Sequence, residues 1–227
     1  MIKKLFIILT ILFVFSNLAI SQDQEIRPIK FKKLKKEIRK QRSPFYYPVL
    51  FQRYLDLDTS LTSEDFRYLY YGFTFQDAYS PYGIPALQDS LISYLSRQEL
   101  LRAEYQVAAR IGGLLLRESP FRLRETFITA VAYEMAGDGK MSSIYFDFFE
   151  KQVDAIMSSG DGLSTNTAFV VIYIRDEYEM LEVLGFKFGG GQALLAGDYD
   201  KLELEENPYG VEALYFNVSR LFAVGFK

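Results

Sequence analysis

The chain has no histidine, no cysteine and no tryptophan in 227 residues. Ser-His-Asp triads, Cys-His pairs, thiol redox motifs and the usual His/Cys zinc sites are therefore excluded. Without cysteine there is no disulfide to staple the fold and no thiol to carry a lipid anchor. The sequence also lacks a P-loop, a dinucleotide-binding glycine motif, an EF-hand calcium loop and a Ser-x-x-Lys pair. Any chemistry falls to Asp, Glu, Lys, Arg, Ser, Thr or Tyr, and no catalytic residue, metal ligand set or cofactor is assigned. A non-enzymatic protein is the leading expectation.

What is present begins with Lys3 and Lys4, an apolar run from Leu5 to Phe15, and Ala19-Ile20-Ser21 ahead of Gln22. This order of basic, apolar and small residues predicts a cleavable secretory signal over residues 1–21, with cleavage near Ser21 and a product that is periplasmic or secreted. The run is shorter than the roughly 20 apolar residues that a membrane span needs. The remaining chain has the size of one domain. It divides into a basic arm, residues 22–43, and a helix-rich domain with a C-terminal β portion, residues 44–227.

Charge separates these two parts. From Arg27 to Arg42 there are nine basic residues and one acid, Glu37, whereas beyond Arg42 there are 15 basic and 26 acidic residues, a net charge of −11. Phe31, Leu34 and Ile38 at i, i+3 and i+7 predict a short amphipathic helix. Two roles fit it: docking by its stripe on the acidic body with the lysines in water, or weak contact with an anionic membrane through Arg27 to Arg42. Nucleic acid is not an expected partner.

Between Phe45 and Tyr82 stand 13 aromatic residues in 38 positions. Tyrosine combines an apolar ring with a polar tip, so Tyr46, Tyr47, Tyr70, Tyr71, Tyr79 and Tyr82 are candidate binding residues, with a packed helical corner as the competing reading. Thr62 as N-cap, Asp65 at N3 and a Leu61–Phe66 staple predict a helix that Gly72 stops. Gln76 to Pro85 reads as a loop.

Further helices are expected from the Ser96-x-x-Glu99 capping box to Arg117, from Ser119 with Pro120 at its first position to Gly137, and from about Lys140 to Met157. Short links make these antiparallel hairpins. Ala130, Tyr133, Ser142 and Phe146 fall at tetratricopeptide spacings, a degenerate match with Thr126 where a bulky residue is usual. Thr167 to Ile174 reads as a strand or short helix, and Glu177 to Leu184 as a turn or two of helix closed by Gly185. Leu202 and Leu204 alternate with charged residues as a half-buried strand; Asn207 to Gly210 turns it into Val211 to Val218, apolar on both faces and suited to a central position. The fold class expected is α+β: mainly α-helical hairpins, degenerate tetratricopeptide-like, followed by a small, mostly antiparallel sheet. Asp198 with Asp200, Glu203 with Glu205 and Glu206, and Asp161 are acidic groupings for which a solvated surface is the plainer account. Gly189-Gly190-Gly191 is expected to be a hairpin turn.

Several longer strings stand together here: Ser43-Pro44-Phe45-Tyr46-Tyr47-Pro48, Tyr68 to Phe75, Ser80-Pro81-Tyr82-Gly83, Ser158 to Gly162, and Leu214 to Arg220. With them the chain resembles the exported Bacteroidota proteins grouped as domain of unknown function 4919, from about Phe31 to Phe222. The resemblance implies an exported protein with a helical front and a β-containing end, and it carries no activity or catalytic residue. The functional expectation is an interaction module of the cell envelope that binds a protein or peptide. The alternatives are a carboxylate-dependent glycan-binding or glycan-hydrolysing protein, and a membrane-surface protein held by its basic arm.

Overall fold

A computed structural model describes residues 26–97 and 100–225. The expected signal, and Glu99 of the expected capping box, lie outside the described residues; Ser96 itself ends the helix of residues 88–95, and the helix that runs through Arg117 begins at Arg102, not at Ser96. Elements run in the order α1 (Phe31–Arg39), α2 (Tyr47–Leu55), α3 (Ser63–Phe73), α4 (Gln88–Leu95), α5 (Arg102–Glu118), α6 (Leu123–Ala136), α7 (Gly139–Met157), β1 (Phe169–Val170), α8 (Ile174–Val183), β2 (Phe188–Leu195), β3 (Tyr199–Leu204), β4 (Ala213–Asn217) and α9 (Ser219–Val224). The class is α+β, helices followed by a small sheet.

Helix α1 follows its apolar stripe. Leu34 and Ile38 are buried, and the Phe31 ring meets Tyr71 edge-on at 6.1 Å, so the helix lies on α3. Thr62 and Asp65 form the predicted capping box at the head of α3, and Leu61 and Phe66 are both buried beside it. Gly72 does not stop α3. It lies inside the last turn, where an added Cβ would come within 2.9 Å of the Tyr47 ring, so the missing side chain makes room for α2.

Helices α5, α6 and α7 pack as successive neighbours, and α3 packs on α7. Gly137 ends α6 at φ 78° in the left-handed region that glycine adopts without strain, and Ser158 ends α7. The start of α6 differs from expectation. Pro120 and Phe121 precede it as a buried corner, with Phe121 at φ 61° and its ring 4.7 Å from that of Tyr54. Ser119 accepts a hydrogen bond from Arg122 Nε at 2.8 Å instead of capping the helix. Tertiary packing of one phenylalanine has overridden the local Ser-Pro signal.

The sheet order is β1-β4-β3-β2, with β2–β3 and β3–β4 antiparallel and β1–β4 parallel. β4 occupies an inner position, as its two apolar faces require. Of the Thr167 to Ile174 run only Phe169 and Val170 form a strand. Thr167 closes a short 3-10 turn and Ile174 opens α8, while Ala168 and Val171 to Tyr173 are buried irregular chain. Side chains satisfy the backbone of this stretch and of the short strand: Tyr70 accepts from Ile172 N at 3.2 Å, Tyr79 donates to Ile172 O at 2.5 Å, the Tyr71 hydroxyl lies 3.0 Å from Val170 O, and Ser159 accepts from Val170 N at 2.8 Å. Buried peptide groups without a ladder need such partners, and the tyrosines of α3 and the following loop provide them. No helix among the described residues is long and apolar enough to cross a membrane.

Candidate functional site at the sheet edge

The six tyrosines divide by burial. Tyr47, Tyr70, Tyr71 and Tyr79 are core residues with their hydroxyls bonded inside the protein, Tyr47 to Leu69 O at 3.3 Å among them, and they offer no stacking surface. Burial holds all four phenols above their usual range. Their reading as a ligand platform is thereby corrected: the rings fill the core, the hydroxyls of Tyr70 and Tyr79 pair the irregular backbone at Ile172, and those of Tyr47 and Tyr71 bond the Leu69 and Val170 carbonyls. Tyr46 and Tyr82 remain half-buried, and Tyr82 lies in the loop after α3.

Tyr82 leads to a grouping that the spacing of acids along the chain did not suggest. Its phenol is raised by burial and then by the nearby Asp200 carboxylate. Asp200, on β3, faces Glu177, on α8, and both are buried. Among the described residues no ordinary donor reaches either Glu177 carboxyl oxygen. A carboxyl group facing a carboxylate supplies its own donor, and Glu177 is the member that keeps the proton: burial first, then the Asp200 charge, push it up to about 9. Burial also raises Asp200, against the hydrogen bond it accepts from Gln192 Nε2 at 3.2 Å. Tyr178 on α8 donates to Gln192 Oε1 at 2.6 Å. The chain Tyr178, Gln192, Asp200, Glu177 thus ties β2 to β3 and both to α8 over one shared proton.

The neighbouring Asp176 belongs to the core. It accepts from Tyr70 Oη at 2.6 Å and from Leu123 N at 3.4 Å, yet burial outweighs both bonds and raises it to about 7. It links α3, α6 and α8 at one point.

Above the acid pair runs β2. As the last strand in the sheet order it pairs only with β3 among the described residues. From Phe188 to Gly197 the chain carries no charge and no proline, and Leu194 is 59 % exposed. The three glycines are not the hairpin turn. They lie inside β2, where the register shifts between Phe188 and Gln192, and Gly190 has φ 94°. A Cβ at Gly189 would sit 2.8 Å from the Leu204 carbonyl carbon, so the bulge needs glycine. The turn lies at Gly197 and Asp198, both at positive φ. Natural edges are commonly blunted by lysine, proline or a covering element; this one has a bulge near its start and none of those charges along its length.

The remaining acidic groupings disperse. Asp198 stands exposed in the turn and does not join Asp200; Glu203, Glu205 and Glu206 are exposed beside Lys201, which reaches Glu203 at 3.3 Å. Asp161 accepts from Leu163 N at 2.9 Å in a surface turn. Among the described residues no three carboxylates converge on a metal-sized space.

Fold and site together define a small α+β protein with an uncharged sheet edge, unpaired among the described residues, above a buried acid pair. The chain belongs to the family described as Domain of unknown function (DUF4919), whose model matches residues 32–224. No curated protein and no solved structure matches it.

Proposed function

We infer that this protein is a non-enzymatic interaction module of the cell envelope, which receives an extended peptide segment of a partner protein along β2. The observation that carries this reading is the β2 edge: eight residues long, uncharged, apolar at Phe188, Leu194 and Leu195, and unpaired on its outer side among the described residues. Strand addition uses such an edge, with backbone hydrogen bonds giving affinity and alternate side chains giving choice. Charge selects the partner's character. The body beyond Arg42 carries a net −11, and Glu203, Glu205, Glu206 and Glu212 flank the sheet. A second copy would bring like charge to like charge, whereas a segment with basic or neutral flanks would not. The hairpins α5 to α7, read as degenerate tetratricopeptide-like, serve as the scaffold that holds the sheet.

A displayed library of random decapeptides, selected on the purified protein, tests this reading. Selected peptides should bind with basic or neutral flanks and lose at least tenfold in affinity to Leu194→Lys, which places a charge on the edge. Selection of no peptide, or binding indifferent to Leu194→Lys, would refute it.

A second reading has one observation in its favour: Glu177 and Asp200 are two carboxyl groups of unequal acidity beside Tyr82 and Tyr178, the pairing that glycan hydrolysis uses once the two part to the roughly 5–10 Å that admits a sugar bond. It requires the Gln192 cover to open. Turnover on a glycan panel, abolished by Glu177→Gln, would replace the first reading with this one.

A further inference from the structure

The apolar stripe of α1 is consumed. Leu34 and Ile38 are buried and Phe31 packs on Tyr71 and Phe75, so the helix has no hydrophobic face left to insert into a bilayer. Its charges point the other way. At about 100° per residue, Lys32, Lys33, Lys36, Arg39 and Lys40 fall within roughly 120° of arc opposite the docked stripe. All five are exposed. None of them forms an ion pair among the described residues, although the body they rest on is acidic. The one acid of the helix, Glu37, is partly buried towards Tyr68, and Lys35 lies over the Phe75 ring at 5.2 Å. Fold energy therefore fixes the helix in place, and its outer face is a rigid plate of positive charge.

The geometry points to this outer face of α1 as a docking surface for an anionic lipid bilayer, bound by charge alone. It is a separate surface from the β2 edge and does not depend on it. Four of the five charges are lysines, compact and strongly hydrated ions without the planar fork by which arginine grips individual phosphates. Such a set suits a plane of diffuse headgroup charge more than the spaced phosphates of one strand. An amphipathic helix that inserts would bind with its stripe and resist salt. This helix, its stripe already spent, would be released by salt, because the Debye length shrinks from about 10 Å at 0.1 M to about 3 Å at 1 M.

The test is vesicle sedimentation of the protein recovered from an exporting host. It compares phosphatidylcholine vesicles with and without phosphatidylglycerol at 0.1 M and 1 M salt, for the natural chain and for Lys32→Gln/Lys33→Gln/Lys36→Gln/Lys40→Gln. These are exposed side chains, so the variant should keep the natural circular dichroism and melting curve, which are recorded alongside. At roughly fivefold in affinity for each lysine near the surface, the four substitutions should weaken binding on the order of several hundred-fold. Binding only to phosphatidylglycerol vesicles, lost at 1 M salt and in the variant, supports the assignment. Equal binding to neutral vesicles, or binding that survives salt or the four substitutions, overturns it. So does binding to a soluble polyanion such as heparin without any to vesicles.

Discussion

Replacing Glu177 with glutamine should make the protein more stable, and by an amount that grows with pH. The ordinary glutamic acid value is 4.5, whereas in the folded protein burial and Asp200 hold Glu177 at about 9. Between those values the unfolded chain has released this proton and the folded chain retains it. The folded state binds more protons, so stability falls as pH rises through that window, at about 1.4 kcal/mol per unit. The contribution is complete below 4.5 and gone above 9. At pH 7 the accumulated cost is on the order of 3 kcal/mol. Glutamine has nearly the same shape, never ionises, and its amide donates to Asp200 as the carboxyl proton does. The variant should match the natural chain near pH 4.5 and exceed it by on the order of 3 kcal/mol at pH 7. Urea unfolding at pH 5, 6, 7 and 8 measures this difference, provided the denaturant slopes agree. A constant offset across that range, or a less stable variant at pH 7, would show that Glu177 does not hold its proton and that the acid pair is wrongly described.

Other substitutions test the packing that sets the site in place. Tyr70→Phe leaves Asp176 and Ile172 N short of a partner and should cost about 1–3 kcal/mol; a neutral result would mean that water replaces the hydroxyl. Gly160→Ala drives a methyl into the carbonyl oxygens of Thr167 and Ala168, both backbone atoms. Its expected cost is about 1–3 kcal/mol of unfolding free energy, and an unchanged melting curve would count against the close approach. Thr62→Ala removes the capping box of α3 and should lower stability by about 1 kcal/mol, whereas no loss would show that the cap is redundant.

Much of the architecture was legible because its signals are local. The stripe of α1, the cap at Thr62 and Asp65, the stops at Gly137 and Ser158, and the inner place of β4 follow from spacing and residue type alone. The misreadings share a cause, which is contact between distant segments. Phe121 is held in its corner by the ring of Tyr54, and Gly189 to Gly191 form a bulge because β3 passes too close for a side chain. The tyrosines divide between core and surface according to which backbone lies opposite them.

The acid pair leaves a trace in the periodicity of its two elements. On α8, Asp176 precedes Met180 by four residues and Glu177 precedes Leu181 by four, so both acids fall on the apolar face of the helix. On β3, Asp200 shares a face with Leu202 by the period of two. Acids on apolar faces are the pattern that marks them as buried, whereas Glu203 and Glu205 alternate outward and are exposed.

The central claim is that β2 is an edge kept open for a partner strand. Backbone hydrogen exchange of the natural chain, with and without a peptide selected from the displayed library, tests it most directly. The account predicts that the peptide slows exchange in residues 188–195 above all others, and that Leu194→Lys abolishes the effect. Protection centred elsewhere on the protein, with residues 188–195 unchanged, would contradict it.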